Sequence, residues 1–171
     1  MRLPPDYLRR LRTPFAPVSR KQEGGRQSRG NSANQGIIVM RTASCSCGSL
    51  RADTTGEPAR VIACHCRECQ RRTGAPFGVI VVFRKGQVQT EGPSTEYVRD
   101  AAEGRKVRFH FCPNCGTTLY WYPDIGPDFI GIALGAFADP SFPEPTVSAW
   151  EEARHPWVAF QHELSRFPAN S

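Results

Sequence analysis

The cysteines constrain this chain more than any other feature of its sequence. Three of them fall within six residues in the segment 64–69, C-H-C-R-E-C. A close pair, Cys45 and Cys47, precedes this segment, and a second pair, Cys112 and Cys115, follows it. Together these are all seven cysteines of the 171-residue chain. Closely spaced thiols are typical zinc ligands, so the pattern favours metal binding over disulfide bonds.

The number seven divides naturally into four and three. A closed structural zinc site uses four protein ligands, whereas a catalytic site uses three and leaves the fourth position open to water or substrate. In one grouping the pairs at 45–47 and 112–115 form the closed site, and segment 64–69 forms the open one. In the other grouping the C-x-x-C pair at 66–69 joins the pair at 112–115. Spacing alone favours neither grouping by much.

The sequence C-P-N-C-G at 112–116 has the composition of a zinc knuckle. Pro113 fixes φ, Asn114 tolerates a turn, and Gly116 permits a positive φ at which backbone amides can approach thiolates. This motif alone indicates zinc.

Length and composition indicate one domain in a reducing compartment. A chain of 171 residues can bury a single core. No apolar run approaches the roughly 18 residues of a membrane span, and the N-terminus lacks the apolar segment of a secretory signal. We therefore expect a cytoplasmic protein without a membrane partner, in which thiols stay reduced.

The net charge of +6 lies at one end of the chain. Residues 1–36 contain eight basic and two acidic residues, so the remaining residues sum to zero. Segment 18–36 has almost no apolar side chain to bury, which favours disorder. We expect a disordered basic extension at 1–39, a compact zinc-binding domain at 40–165 and a short C-terminal tail at 166–171.

From residue 37 onward the pattern is that of a mainly β protein. Short β-rich stretches alternate with Gly, Pro, Asp and Asn, and no stretch sustains a helical period. Residues 77–83 form a continuous apolar run, which predicts a fully buried central strand. Residues 66–73 could form one helical turn. The predicted strands are 42–46, 49–54, 60–64, 77–83, 87–90, 94–98, 106–111, 117–122 and 129–134.

Three ordered motifs together resemble one known family. They are C-S-C-G-S-L at 45–50, C-H-C-R-E-C at 64–69 and F-C-P-N-C-G-T-T-L at 111–119. They resemble the glutathione-dependent formaldehyde-activating enzyme family, which also includes centromere protein V. The similarity runs from about Ala43 to Trp157. It implies an Mss4-like fold built of β-sheets in a single domain.

The resemblance also implies two zinc ions per chain, with assigned ligands. It implies a structural zinc at Cys45, Cys47, Cys112 and Cys115, and a catalytic-type zinc at Cys64, Cys66 and Cys69. The family's named activity joins formaldehyde to glutathione, giving S-(hydroxymethyl)glutathione, which is a carbon–sulfur lyase reaction in reverse. The expected partner is thus a small thiol such as glutathione, whereas nucleic acid is not expected.

Several other residues are candidates beside the open site. Three thiolates on Zn²⁺ give a centre of net charge −1, which Arg67, Arg71 or Arg72 could offset. Strand phase points His65 away from its neighbouring ligands, so we expect it to pack rather than bind metal. In the segment 150–157, the residues that could assist as acid or base are Glu151, Glu152 and His155. Such a stretch is more often an aromatic closure over a sheet.

Two other functions remain open on the sequence. The chain could be a zinc-stabilised binding module whose basic extension contacts nucleic acid or a protein. It could also handle metal through an exchangeable zinc. Salt-dependent nucleic-acid binding that disappears when residues 1–36 are removed would favour the module. Turnover that survives this deletion would favour the enzyme.

Overall fold

Short strands dominate the structure. A computed structural model describes residues 39–101, 104–124 and 126–168, and the predicted extension therefore lies outside the described residues except for Val39. The described part contains one α-helix, α1, at Arg67–Thr73. Its strands are β1 (Met40–Ser44), β2 (Arg51–Thr55), β3 (Arg60–Cys64), β4 (Gly78–Arg84), β5 (Val88–Glu91), β6 (Thr95–Asp100), β7 (Lys106–Phe111), β8 (Thr118–Pro123), β9 (Phe129–Ala133), β10 (Val147–Ala149) and β11 (Ser165–Phe167). The mainly β prediction is confirmed.

The strands form two sheets. The large sheet has the order β11-β10-β3-β4-β9-β8-β7-β6, and the small one has the order β1-β2-β5. Within the described residues, β10 pairs in parallel with β3 and β11, and the other strand pairs are antiparallel. None of the helices in this part of the chain is long and apolar enough to cross a membrane.

One face of the large sheet forms the hydrophobic core. Strand register places Val61, Val81, Ile132 and Tyr120 side by side on neighbouring strands, and all four are buried. They belong to one cluster with residues of the small sheet such as Ala52. Because successive side chains of a strand point to opposite faces, every second residue of each of these strands faces this core. Burying each Val or Ile contributes about 1.5–3 kcal/mol.

The opposite face of the same sheet carries a row of aromatic and small residues. Register aligns Tyr97, Phe109, Trp121, Gly131 and Val82 across five strands, β6 to β4. Helix α1 lies against this face and contacts β4. Cys64, the last residue of β3, pairs with Gly78 at the first position of β4.

Two glycines allow the close approach of groups on this face. A Cβ on Gly131 would lie 2.5 Å from Nε1 of Trp121, so only glycine leaves room for the indole ring. A Cβ on Gly78 would lie 3.1 Å from Arg72 and 3.4 Å from Cβ of Cys69, both on α1. The two glycines thus set how closely Trp121 and the helix sit on the sheet.

The structure differs from the predicted elements in several respects, including strand bounds such as those of β1, which is Met40–Ser44 and not 42–46. Strand β4 is central, but complete burial is limited to alternate residues such as Val81 and Phe83, because its other face is only partly covered. The sequence gives no signal for β10 or β11, since strands of three residues are too short to show alternation. Strand β11 runs across the domain boundary expected at residue 165.

Candidate metal centres and the adjoining pocket

The structure brings Cys45, Cys47, Cys112 and Cys115 together. Their four Sγ atoms all lie within 4.8 Å of one another. The Sγ of Cys47 is 3.5 Å from that of Cys45 and 3.6 Å from that of Cys112. Tetrahedral zinc with Zn–S bonds of about 2.3 Å places its sulfurs roughly 3.8 Å apart, so the arrangement fits the ion.

Two turns present these thiols. One follows β1, where the amide of Gly48 donates to the carbonyl of Cys45. The other follows β7, where the amide of Gly116, at φ +74°, donates to the carbonyl of Cys112. A positive φ of this size favours glycine. The cluster therefore connects two chain segments 65 residues apart, one after β1 of the small sheet and one after β7 of the large sheet.

Hydroxyl and amide groups around this cluster favour the thiolate form of Cys47 and Cys115. The amide of Leu50 donates to Sγ of Cys45 over 3.3 Å. Hydrogen bonds with Ser49 and then Asn114 lower the pKa of Cys47 to about 5. The pKa of Cys115 falls to about 7, chiefly because of hydrogen bonding with Thr117. For Cys112, hydrogen bonding with Ser49 lowers the pKa, but burial and hydrogen bonding with Cys47 raise the pKa overall. Deprotonated sulfur is the form that binds zinc.

The second cluster consists of Cys64, Cys66 and Cys69. Cys64 ends β3, Cys66 caps the N-terminus of α1, and Cys69 lies in the first turns of the helix. The Sγ of Cys66 accepts the amide hydrogen of Cys69 over 3.3 Å. All three Sγ atoms lie within 4.8 Å of one another. The donor set fits a zinc ion bound by three thiolates with one open position. The structure therefore groups the cysteines as four and three, and not in the alternative grouping at 66–69 and 112–115.

The close approach of these three thiols gives them different pKa values. A hydrogen bond with Cys64, followed by one with Cys69, lowers the pKa of Cys66 to about 2. The pKa of Cys64 is raised, chiefly by its hydrogen bonds with Cys66 and Cys69 and by burial. For Cys69, hydrogen bonding with Cys64 lowers the pKa, but hydrogen bonding with Cys66 and burial outweigh it and raise the pKa to about 11. Three thiols this close share protons that a divalent cation would displace.

His65 packs beside the cluster and is not among its ligands. The residue is fully buried, and its Nε2 lies 3.0 Å from Oγ of Ser148 on β10. Its ring packs 5.4 Å from Phe77 and 6.1 Å from Phe160, measured between ring centroids. Burial lowers its pKa. This matches the sequence-based expectation of a packed histidine.

The segment after β10 forms hydrogen bonds with helix α1. Gln70 of the helix donates from Nε2 to the carbonyls of His65 and Ala153, over 2.7 Å and 3.0 Å. Its Oε1 lies 3.2 Å from Nε2 of His155. Sequence reasoning missed Gln70, because one amide on a short helix carries no distinctive pattern.

The acidic residues of this segment differ in their surroundings. The Glu151 carboxylate accepts hydrogen bonds from Ser148, from Arg154 over 2.7 Å and from Arg166 over 2.9 Å. Glu152 is exposed. Glu151 is therefore held by hydrogen bonds with its own neighbours.

A cavity of about 340 Å³ adjoins the three-cysteine cluster. Cys69 forms part of its wall. The remainder of the wall comes from α1 and from β6 to β8, which meet over the aromatic row of the large sheet. Its other lining residues are Glu68, Arg71, Arg72, Tyr97, Arg99, Phe109, Phe111 and Thr118. A second cavity of about 380 Å³, lined by Lys85, Arg108 and Tyr122 among others, includes no cysteine.

Comparison with known proteins identifies the family. The family model described as glutathione-dependent formaldehyde-activating enzyme matches residues 40–153. The chain belongs to this family. The match includes both cysteine clusters, helix α1 and every residue that lines the cavity beside Cys69.

Individual relatives of the family are distant. The chain is 32% identical, over 114 residues, to a Fusarium vanettenii protein provisionally named a glutathione-dependent formaldehyde-activating enzyme, covering 62% of this chain and 59% of that protein. It is 30% identical over 77 residues to a Schizosaccharomyces pombe protein named an uncharacterized lyase, covering 45% and 53%. The chain thus spans little more than half the length of these relatives. A crystal structure of a Rhodobacter sphaeroides protein is 18% identical, with a TM-score of 0.46, and covers 58% of this chain and 91% of that one.

Proposed function

We propose that this protein is a zinc-dependent, lyase-type enzyme that joins a small thiol to a small carbonyl compound and cleaves the adduct. The proposed reaction resembles the formation of S-(hydroxymethyl)glutathione from glutathione and formaldehyde. One zinc would be held by Cys64, Cys66 and Cys69, and a second, structural zinc by the four-cysteine cluster. The cytoplasm, where thiols remain reduced, is the proposed location. The observation that carries the proposal is the position of Cys69, which belongs to the three-thiol cluster and to the wall of the cavity.

The chemistry requires a thiolate, a carbonyl carbon and a proton. The thiol sulfur forms a bond to the carbonyl carbon, the C=O π bond opens, and the thiol proton ends on the carbonyl oxygen. When bound, zinc supplies an open coordination position that favours a deprotonated sulfur at neutral pH. The reverse reaction breaks the same C–S bond and returns the proton to sulfur.

The residues of this chain supply binding, orientation and charge. Arg72 lies close enough to Cys69 for its positive charge to favour the Cys69 thiolate. Phe109 and Phe111 line the cavity and reduce the access of water. In a site with less water, the arginine charge acts more strongly on the reacting sulfur.

The direct test uses ¹³C-labelled formaldehyde and glutathione. Exchange spectroscopy by NMR measures how quickly the adduct forms and breaks, with the spontaneous rate subtracted. We expect zinc-loaded protein to accelerate exchange, and Cys69→Ser to abolish the acceleration while the circular dichroism spectrum is retained. A control, Ser141→Ala, changes an exposed residue that belongs to neither cluster and does not line the cavity. Equal rates with wild type, Cys69→Ser and no protein would overturn the proposal.

A further inference from the structure

The cavity beside Cys69 contains two arginines that have no carboxylate partner among the described residues. Arg71 forms an ion pair with Glu68, with 2.5 Å between Nη1 and Oε1, so these two charges cancel. Arg72 and Arg99 also line the cavity. Within residues 39–101, 104–124 and 126–168, neither of these two guanidinium groups has an ion pair with a carboxylate. The Nε of Arg99 is buried and has no hydrogen-bond partner in the described part of the chain.

The two guanidinium groups are held by the same aromatic ring. The guanidinium carbon of Arg72 lies 5.7 Å from the centre of the Phe109 ring, and that of Arg99 lies 5.8 Å from it. Arg72 also lies 4.5 Å from the centre of the Trp121 ring. A guanidinium group that packs on an aromatic ring keeps its N–H donors free for another group. Because the ring already orients the guanidinium, binding that group costs little further entropy. The cavity thus presents two guanidinium groups that no carboxylate of the described residues engages, and both can bind an anionic ligand.

We propose that Arg72 and Arg99 bind carboxylate groups of the thiol substrate and so determine its specificity, an inference that rests on the function proposed above. The planar fork of a guanidinium donates two parallel hydrogen bonds to a carboxylate. Arg72 comes from α1 and Arg99 from β6, so the anionic end of the substrate lies between helix and sheet, while its sulfur lies toward Cys69. The volume of about 340 Å³ suits a small-molecule ligand. The substrate class is a thiol with one or more carboxylates, and thiols without a negative charge are poor substrates.

Binding of an unreactive analogue tests this without any turnover. S-methylglutathione carries both carboxylates of glutathione but has no thiol hydrogen. Calorimetric titration into zinc-loaded wild type should give a Kd about tenfold lower than that of its diethyl ester, since a charged hydrogen bond is worth about one such factor. This comparison needs no variant. Equal affinities for the acid and its ester would overturn the proposal.

Variants then assign the effect to the two arginines. Arg72→Gln and Arg99→Gln should each raise the Kd for S-methylglutathione about tenfold and leave that for the diester unchanged. The control Arg84→Gln removes a guanidinium that lies 5.5 Å from the Phe129 ring, outside the cavity, and should change neither Kd. Equal weakening in all three variants, or weakening for acid and ester alike, would contradict the assignment. Zinc content and circular dichroism confirm that each variant is folded.

Turnover separates failure of this inference from failure of the proposed function. If the enzyme reacts equally well with glutathione and with uncharged 2-mercaptoethanol, the carboxylate inference is wrong and the proposed function stands. If no thiol reacts but S-methylglutathione binds with the predicted arginine dependence, the pocket assignment stands and the proposed chemistry is wrong. If the carboxylate inference and the proposed function are both correct, Arg99→Gln raises KM for glutathione about tenfold and changes kcat much less.

Discussion

The guanidinium of Arg72 lies 4.5 Å from the centre of the Trp121 ring, and this contact joins the end of helix α1 to strand β8 of the large sheet. Trp121 can lie there because the residue opposite it on β9 is Gly131. The position of one wall of the cavity therefore depends on a glycine that is not itself among the lining residues.

Gly131→Ala tests this dependence. The new methyl group would lie 2.5 Å from Nε1 of Trp121, a distance that forces the indole to move. We expect a loss of about 1–3 kcal/mol in the free energy of unfolding, typical of overpacking, and a higher KM for the thiol. Thermal unfolding and steady-state kinetics measure the two effects. Gly135→Ala is the matched control, because its Cβ would meet nothing within 4 Å. Similar losses in both variants would show that the contact with Trp121 is not the cause.

Metal analysis should find two zinc ions per chain. The motivation is the grouping of seven thiols into clusters of four and three. A chelator should remove the zinc of the three-cysteine cluster first, because three protein ligands leave one coordination position open to the chelator. Elemental analysis during stepwise chelation follows both ions. A single zinc at saturating free metal would contradict the second site.

Much of this arrangement is predictable from the sequence, for a physical reason. The preferences of strand-forming residues and of the turn residues between them act locally, so strands β3 and β7 begin and end at the predicted residues. Cysteine spacing is also local, and indicates metal ligands without any knowledge of the fold. Which cysteines share an ion could not be settled by spacing, since it depends on how β1 and β7 come together.

The cavity was beyond sequence reasoning because no local pattern encodes it. Arg99 reaches the wall through the register of β6 with β7, and Arg72 through the placement of α1. Arg72 was named from the sequence only as one of three arginines able to offset charge. Tyr97, Arg99 and Phe109 resemble ordinary residues of alternating strands until the sheet is assembled.

A substitution at Glu151 tests whether the segment after β10 has a structural or a catalytic role. Glu151→Gln removes the charge that pairs with Arg154 and Arg166, and should cost about 2 kcal/mol of stability, or roughly 4–8 °C in Tm. Burial raises its pKa, but hydrogen bonds with Ser148 and Arg154 lower the pKa overall. The stabilisation is therefore present at neutral pH and is lost as the pH falls below the usual value of 4.5.

The kinetic readout of the same variant decides between the roles. A structural Glu151 leaves the shape of the pH–rate profile unchanged, whereas a general acid or base removes one limb of it. Glu152→Gln serves as the control, because this neighbouring carboxylate is exposed. Loss of a limb in Glu151→Gln alone would establish direct participation in the reaction.

A chain that begins at Met40 should retain its zinc and its activity. The family match and strand β1 both begin at residue 40. Removing residues 1–39 eliminates the excess positive charge while leaving both cysteine clusters and the cavity. Metal content, Tm and turnover of the two chains should agree. A fall in Tm of several degrees, equivalent to about 1 kcal/mol or more, would show that the extension stabilises the domain.

The two cysteine clusters should respond differently to the loss of one ligand. Cys112→Ser removes a ligand from the cluster that connects segments 65 residues apart. A structural zinc can contribute on the order of 10 kcal/mol to the folded state, comparable with the whole stability of a domain. This variant should be insoluble or largely unfolded.

Cys69→Ser instead affects a cluster whose three ligands lie in one short segment, from the last residue of β3 to the first turn of α1. The domain should stay folded and retain about one zinc. Turnover should fall by more than about 100-fold, because even groups that only orient a metal ligand are worth about 10- to 100-fold. Circular dichroism, zinc content and activity of both variants test the pair together. Serine is close in size to cysteine but a poor zinc ligand at neutral pH, so altered packing does not account for the difference. If Cys69→Ser unfolds and Cys112→Ser stays intact, the structural and catalytic roles of the clusters are reversed.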